Sequence, residues 1–494
     1  METQPWLLAA AVLLIAGVVV SKTSSRFGVP SLLLFLGIGM LAGSDGIARI
    51  DFDDFDLARS FGTVALGYIL FSGGLGTRFT DIRPIIGPAV ALASIGVVIT
   101  ASLVALVASE ILDLTLAEGF LLGAVIASTD AAAVFSVLRS RGISIPPRLG
   151  ATLELESGSN DPAAVFLTVA AIDIVLGDHA GPLSMVGMFA LQMTVGVLCG
   201  YLLARATVAA VNRLHLDFDG MYPVFTFALV LLILEGVNMI GGSGFLAVYA
   251  AGVTMASRDF VHKRSLIRFH DGVAWLMQIA MFVLLGLLVF PSRLPDVALQ
   301  AMLVAAVLIL FARPVAVFLT LVCFRFPRSQ IAFVSWVGLR GATPIILATF
   351  PVAAGVPNGE RLFHVVFFVV LTSILVQGTS IGAAARRLRL TDPDVVFERP
   401  VSFDTVITGD DGPSLHELSV RPGSDADTRQ IIDLGLPTGI LIVLVRRGEY
   451  SFMPEGTTTL QGGDDLLVAA DREHAHRLAS LFAHHGGSQD GSVA

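Results

Sequence analysis

Long apolar segments recur along roughly the first 385 positions of the chain, and short polar stretches separate them. A helix of about 20 apolar residues spans the hydrocarbon core of a bilayer. The pattern therefore predicts an all-α, polytopic membrane protein with about thirteen transmembrane helices. The predicted spans are 6–21, 31–43, 60–77, 85–108, 118–138, 158–176, 184–209, 222–237, 243–256, 273–290, 297–322, 330–350 and 362–385.

Basic residues fall in alternate predicted loops, whereas the intervening loops are acidic or nearly uncharged. Because Lys and Arg collect in cytoplasmic loops, this distribution predicts that the N-terminus is outside and the C-terminus is in the cytoplasm. An odd number of spans satisfies that orientation. The basic loops hold Lys22 and Arg26; Arg78 and Arg83; Arg139, Arg141 and Arg148; Arg205 and Arg213; Arg258, Lys263, Arg264 and Arg268; Arg325 and Arg328; and Arg386, Arg387 and Arg389.

The composition is typical of a membrane protein and disfavours a nucleic-acid partner, disulfide bonds and a zinc site. Hydrophobic residues make up 54% of the 494 positions and charged residues 14%, and the mean hydropathy is +0.80. A net charge of -9 argues against a nucleic-acid partner. Cys199 and Cys323 lie in apolar runs, which predicts neither a disulfide framework nor a zinc site. The first segment lacks a basic n-region and a cleavage site, so we expect a retained span.

Two predicted spans contain residues that interrupt a straight helix. Span 118–138 contains Ser128, Thr129 and Asp130, and span 330–350 contains a Gly-Leu-Arg-Gly-Ala-Thr-Pro stretch. An odd span count permits two six-helix units of inverted topology, in which these two spans occupy the same place. Broken helices at matching places in two such repeats are typical of transporters with a binding site near the bilayer midplane.

Two acidic residues lie inside apolar runs: Asp130 in span 118–138 and Asp161 in span 158–176. A carboxylate in the membrane is costly, so such residues are candidates for binding a cation or a proton. For Asp130, a role in satisfying a helix kink is the alternative. On a helix, Ser157 and Asp161 share one face, as do Glu156 and Asn160 on a neighbouring face.

Three motifs together resemble a known family: 128–130 (Ser-Thr-Asp), 156–162 (Glu-Ser-Gly-Ser-Asn-Asp-Pro) and 338–342 (Gly-Leu-Arg-Gly-Ala). They are similar to the NhaP-type monovalent cation:proton antiporters, in particular the potassium/proton branch that regulates cell volume and carries a cytosolic tail. The resemblance implies a homodimer in a bacterial-type plasma membrane. It also implies exchange of K⁺, or else Na⁺, for protons, in cation and pH homeostasis.

The resemblance implies roles for residues near the first interruption. Asp161 is expected to be the titrating carboxylate, with Thr129, Ser157 and the 129–130 backbone as further oxygen ligands and Asp130 as a supporting charge. Oxygen ligands suit alkali cations, and neither a cofactor nor another metal is expected. Asn160 stands where electrogenic relatives have a second carboxylate, which predicts one proton per cation and electroneutral exchange.

Other polar residues in the spans are given structural roles. The resemblance implies an ion pair between Glu156 and Arg340. Arg313 is expected to snorkel or to pair inside the bundle, and Glu235 to lie toward an interface. Ser72 departs from the family pattern, because close relatives commonly place an acid at this position in the third span.

After a predicted linker at 391–401, shorter apolar runs predict a small α+β domain at 402–485 with a helix near 472–484, followed by a disordered tail at 486–494. The domain resembles the C-terminal subdomain of regulators of potassium conductance. That resemblance implies regulation by a small ligand, a nucleotide or cyclic dinucleotide. The predicted strands are 415–420, 439–445, 450–453 and 466–470.

Two other functional classes are alternatives to antiport. A tail-regulated cation channel is the alternative, but the chain has no selectivity-filter sequence of the TVGYG kind. An intramembrane enzyme is disfavoured, because Ser157 and His364 lie in distant predicted spans and form no visible nucleophile–base arrangement.

Overall fold

A computed structural model describes most of the chain, in two compact units, Met1–Thr391 and Asp392–Ala494. The described residues are 5–27, 31–177, 181–214, 216, 218–391, 414–420, 423–424, 426–436, 439–447 and 450–470. The predicted linker, the predicted helix near 472–484 and the predicted tail lie outside the described residues, apart from Thr391.

Helices make up most of the described part of the first unit. Short 3₁₀ or π-helical turns join several helices end to end, as between α4, α5 and α6, between α14 and α15, and between α18 and α19. The helices are α1 (Pro5–Phe27), α2 (Ser31–Ala42), α3 (Phe55–Gly76), α4 (Phe79–Ile82), α5 (Ile86–Ala91), α6 (Val97–Leu112), α7 (Leu116–Ile126), α8 (Ala131–Ser140), α9 (Pro147–Leu176), α10 (Pro182–Arg213), α11 (Met221–Met239), α12 (Gly244–Ala256), α13 (Lys263–Leu287), α14 (Leu294–Val307), α15 (Arg313–Leu321), α16 (Arg328–Trp336), α17 (Ala342–Ala353), α18 (Gly359–Ser373) and α19 (Thr379–Arg387).

Seven helical segments among the described residues are long and apolar enough to cross a membrane, or eight if α7 and α8 are counted as one bent span. The prediction of a mostly helical membrane protein is therefore confirmed in this coarser form. Helices also occupy the remaining predicted segments, but several of these helices are shorter than the seven that could cross a membrane. The count of thirteen spans and the inverted repeat stay predictions.

Both predicted interruptions are breaks between helices. We call residues 127–130, between α7 and α8, the first break, and residues 337–341, between α16 and α17, the second break. At the first break the helix axis bends by 42°. At the second break Pro344 follows in the opening turn of α17, where its missing N–H leaves no hydrogen bond unmade.

Glycines bring the surrounding helices close together. A side chain at Gly74 of α3 would collide with the backbone of α12 near Gly252, and a side chain at Gly252 would collide with α3. The two helices therefore pack backbone to backbone, as small residues allow in membrane bundles. Helix α9 packs against α7, α12 and α17, which places its polar middle beside both breaks.

The second unit contains an antiparallel sheet in the order β1-β4-β2-β3. The small β-containing region is thus confirmed. Its core is apolar and includes Leu418, Val445, Leu460 and Leu466. The strands are β1 (Ser414–Ser419), β2 (Leu441–Arg447), β3 (Tyr450–Phe452) and β4 (Asp465–Ala470).

Candidate ion-binding site

The two breaks meet and hold each other through their backbones and one arginine. The amide of Asp130 donates to the carbonyl of Leu339 at 2.8 Å. In return, Arg340 Nη1 donates to the carbonyls of Ala127, at 2.6 Å, and Ser128, at 2.5 Å. These carbonyls terminate α7, where a cation offsets the negative end of the helix dipole. The crossing therefore satisfies backbone groups that lipid could not satisfy.

Helix α9 presents its polar face to the first break. Ser157 Oγ donates to the carbonyl of Thr129 at 3.0 Å and accepts from the amide of Ala131 at 3.1 Å. Asn160 Nδ2 donates to Thr129 Oγ1 at 2.6 Å. Ser157 and Asn160 thus fix both the backbone and the side chain of Thr129.

Asp161 lies at the inner surface of a cavity of about 430 Å³ and is only 6% exposed. The hydroxyl of Ser128 donates to its carboxylate. Thr129, Ser157 and Thr343 line the same cavity and add hydroxyl groups. The arrangement offers a carboxylate and several neutral oxygens to a bound ion, which is the chemistry that hard cations prefer.

Asp130 has a structural task as well as a place in the cavity lining. Its Oδ1 accepts from the amide of Ala133 at 3.0 Å and so caps the N-terminus of α8. A side chain at Gly341 would collide with the carboxylate of Asp130, so the second break needs a glycine there. The alternative role for Asp130 was to satisfy backbone groups at the helix interruption. The structure contains such a contact, the cap on α8.

The predicted pair of Glu156 and Arg340 is corrected by the structure. Glu156 Oε1 lies 2.7 Å from Nη1 of Arg313, and both side chains are buried. Arg340 is engaged by the carbonyls at the end of α7 instead. The charges of Glu156 and Arg313 still act on Arg340 from a distance. Three charges therefore share this interior, and only two of them are in contact.

Three residues here are not among the predicted ion-binding residues or the predicted ion pair: Ser128, Thr343 and Arg313. Ser128 and Thr343 belong to the interrupted stretches of the sequence, and short polar side chains beside a membrane carboxylate are natural partners for it. Arg313 carries a stronger signal, because a guanidinium within an apolar span needs an acid or carbonyls nearby.

Comparisons with known proteins agree with this architecture. The model of the family "Sodium/hydrogen exchanger, transmembrane" matches residues 10–387, and that of the TrkA-C domain matches residues 415–483. The chain resembles the solved structure of the sodium proton antiporter MjNhaP1 from Methanocaldococcus jannaschii, with a TM-score of 0.69 and 24% identity, over 78% of this chain and 99% of that one. This likeness shows a shared fold.

Two curated relatives are similar in sequence. The K(+)/H(+) antiporter NhaP2 of Shewanella baltica is 40% identical over 96% of this chain and 82% of its own length. The K(+)/H(+) antiporter NhaP of Alkalimonas amylolytica is 45% identical over 78% of this chain and 67% of its own length. The chain therefore belongs to the sodium/hydrogen exchanger family, in its NhaP-type cation/proton antiporter branch, and carries a TrkA-C domain after the membrane unit.

Proposed function

We propose that this chain exchanges K⁺, with Na⁺ as the alternative ion, for protons at Asp161. One observation carries the proposal: the carboxylate of Asp161 lines a cavity together with hydroxyl groups, beside the crossing of two broken helices. The names of the curated relatives support potassium as the ion. Transporters of this architecture bind substrate at such crossings.

Competition at one carboxylate is sufficient for exchange. Burial disfavours the charged form of an acid, and either a proton or a bound cation relieves that cost. The cation would be held by Asp161, Thr129 and Ser157, with Asp130 as a supporting charge. An empty, charged site is costly to carry through the membrane interior, so only the two loaded forms exchange sides.

The proposed stoichiometry is one proton per cation. Asn160 is neutral, fully buried and bonded to Thr129. One carboxylate that trades one proton for one monovalent cation makes the exchange electroneutral. The proposed role of Asn160 is to position Thr129.

The cavity is proposed to open to the cytoplasm. Its lining extends to Thr77 and Arg139, near the ends of α3 and α8 from which two basic loops leave. Basic loops mark the cytoplasmic side, with the N-terminus outside and the C-terminus inside. This conformation would then be the one that loads cytosolic cation in a bacterial plasma membrane.

The proposed organisation has four parts: residues 1–390 transport, 391–401 link, 402–485 regulate and 486–494 form a tail. The chain would act as a homodimer surrounded by lipid. The match to the TrkA-C domain supports a small regulatory ligand, a nucleotide or cyclic dinucleotide, for the third part.

The test is an exchange assay in proteoliposomes. A pH gradient is imposed, and K⁺, Na⁺, Li⁺ and Rb⁺ are offered separately while proton movement is followed. Asp161→Asn should abolish cation-dependent proton movement in a protein that remains folded. Asp173→Asn is the matched control, because Asp173 lies on the same helix outside the cavity lining.

Two results would contradict the proposal. Normal exchange by Asp161→Asn would remove that carboxylate from the mechanism. Large single-channel currents that do not depend on a pH gradient would favour the regulated channel instead.

A further inference from the structure

The cavity that contains Asp161 carries a marked excess of negative charge. Four acidic side chains and one basic side chain line it: Asp130, Glu154, Asp161, Asp271 and Arg139. Asp130 caps α8 and Asp161 is the proposed exchange site. Glu154 and Arg139 carry opposite charges, so together they add no net charge to the lining. Asp271 is the remaining carboxylate of the lining.

Ser72 orients the carboxylate of Asp271 through a hydrogen bond. Ser72 of α3 is buried and donates its hydroxyl to Asp271 Oδ1 at 2.6 Å, while Asp271 itself is exposed. Helices α3 and α13 pack against each other along this contact. The hydroxyl at position 72 is thus bonded to a carboxylate contributed by α13.

We propose that Asp271, oriented by Ser72, is an outer binding residue that concentrates the transported cation in the cavity before it reaches Asp161. The inference rests on the proposed exchange at Asp161 and deepens it. A carboxylate has about four acceptor positions, so the bond from Ser72 leaves others for a cation. In a cavity with low-dielectric walls, fixed charge raises the local concentration of counter-ions by about 10-fold to 10³-fold.

The first experiment separates loading from turnover. In proteoliposomes, Asp271→Asn should raise the KM for K⁺ about threefold, because it removes one exposed charge from a lining that keeps three other carboxylates, and should leave kcat unchanged. Added choline chloride should shrink the difference, because salt screens charges that solvent reaches. Asp259→Asn is the matched control. It removes one exposed carboxylate, paired with Lys263 at 3.7 Å, that is outside the cavity lining.

The second experiment moves the charge across the hydrogen bond. The double variant Ser72→Asp with Asp271→Ser exchanges the two side chains, so a carboxylate remains at the same place in the cavity. It should restore the KM that Asp271→Asn raises. A role for Asp271 that depends only on packing within α13 predicts no rescue.

The outcomes distinguish this inference from the exchange proposal. An unchanged KM in Asp271→Asn would overturn the inference, and so would a loss of kcat at constant KM. Equilibrium dialysis with radioactive Rb⁺ gives a readout that needs no transport. Asp271→Asn should weaken Rb⁺ binding, and unchanged binding would again overturn the inference. Exchange that persists in Asp161→Asn would instead contradict the proposed function alone.

Discussion

The two breaks satisfy backbone groups at helix ends with side chains of opposite charge. The first break supplies a carboxylate, Asp130, which caps the start of α8. The second break supplies a guanidinium, Arg340, which reaches across to the carbonyls that end α7. Gly341 in the second break leaves room for the carboxylate of Asp130. The two breaks therefore supply the charged side chains that complete the C-terminal end of α7 and the N-terminal end of α8.

The comparison also explains why the first break bears the ion site. Its unwound residues carry hydroxyl and carboxylate groups, and α9 holds them through Ser157 and Asn160. The second break contributes mainly backbone and the long side chain of Arg340. We therefore expect substitutions at the second break and its supporting ion pair to act on folding, and those at the first break to act on the ion.

The largest effect is expected at the ion pair behind the second break. Glu156→Gln leaves the buried guanidinium of Arg313 without its 2.7 Å partner, which should cost about 3–5 kcal/mol of stability. Adding Arg313→Met should recover most of that loss, whereas adding Arg340→Met should not. Thermal unfolding of the purified protein in detergent measures all three. If Arg340→Met restored the stability of Glu156→Gln and Arg313→Met did not, Arg340 would be the partner of Glu156.

The positions of the breaks, but not this pairing, were predictable from sequence. Ser-Thr-Asp and Gly-Leu-Arg-Gly-Ala-Thr-Pro are poor sequences for a straight membrane helix, and the helices end where they occur. The partner of Glu156 depends on which faces of distant helices meet. A π-helical turn at Leu308–Ala312 precedes Arg313, and its extra residue rotates the following face. Hydrophobic patterning does not reveal such a shift.

The second unit likewise has features that local sequence predicts and features that depend on contacts between distant residues. Apolar runs and turns along the chain marked the four strands approximately, because alternation and Gly-Asp turns are local signals. Their order, with β4 between β1 and β2, arises from pairing across distances in sequence that no local pattern encodes.

A smaller effect is expected at Thr129 in the first break. Thr129→Val removes the hydroxyl that accepts from Asn160 and lines the cavity. Loss of one such oxygen should weaken cation binding by about 1.4 kcal/mol, or roughly tenfold in KM. Thr129→Ser keeps the hydroxyl and is the control. The KM for K⁺ in proteoliposomes is the measurement, and equal values for the two variants would exclude Thr129 as a ligand.

Asp130 tests whether the first break needs a charge or only a cap. Asp130→Ala should cost about 1 kcal/mol, because the amide of Ala133 loses its acceptor. Asp130→Asn retains a capping oxygen and should keep the wild-type melting temperature. Exchange measured on both variants then separates the two roles. Lost exchange in a stable Asp130→Asn protein would show that the negative charge itself acts on the ion.

The smallest effect is expected where an arginine–carboxylate pair lies outside the membrane unit. Arg447 Nη2 lies 2.7 Å from Asp464 Oδ2, and unlike Arg313 it is 37% exposed. Burial acts to raise the pKa of Asp464. Hydrogen bonds from Arg447 and from the amide of Gln461 outweigh it and hold that pKa below its ordinary value. Water already screens one partner, so the pair should contribute about 1 kcal/mol or less.

The sign of the pH dependence follows from that lowered pKa. The stabilisation is complete above the ordinary pKa of an aspartate, about 4, and is lost as the pH falls through the lower value of the folded state. Asp464→Asn should therefore speed hydrogen exchange of β4 in the full-length chain at neutral pH, and match the wild-type protein in acid. Asp465→Asn is the control, because both partners of its pair with Arg446 are partly exposed, whereas Asp464 is buried. An equal effect of both variants at neutral pH would mean that burial of the carboxylate does not distinguish the two pairs.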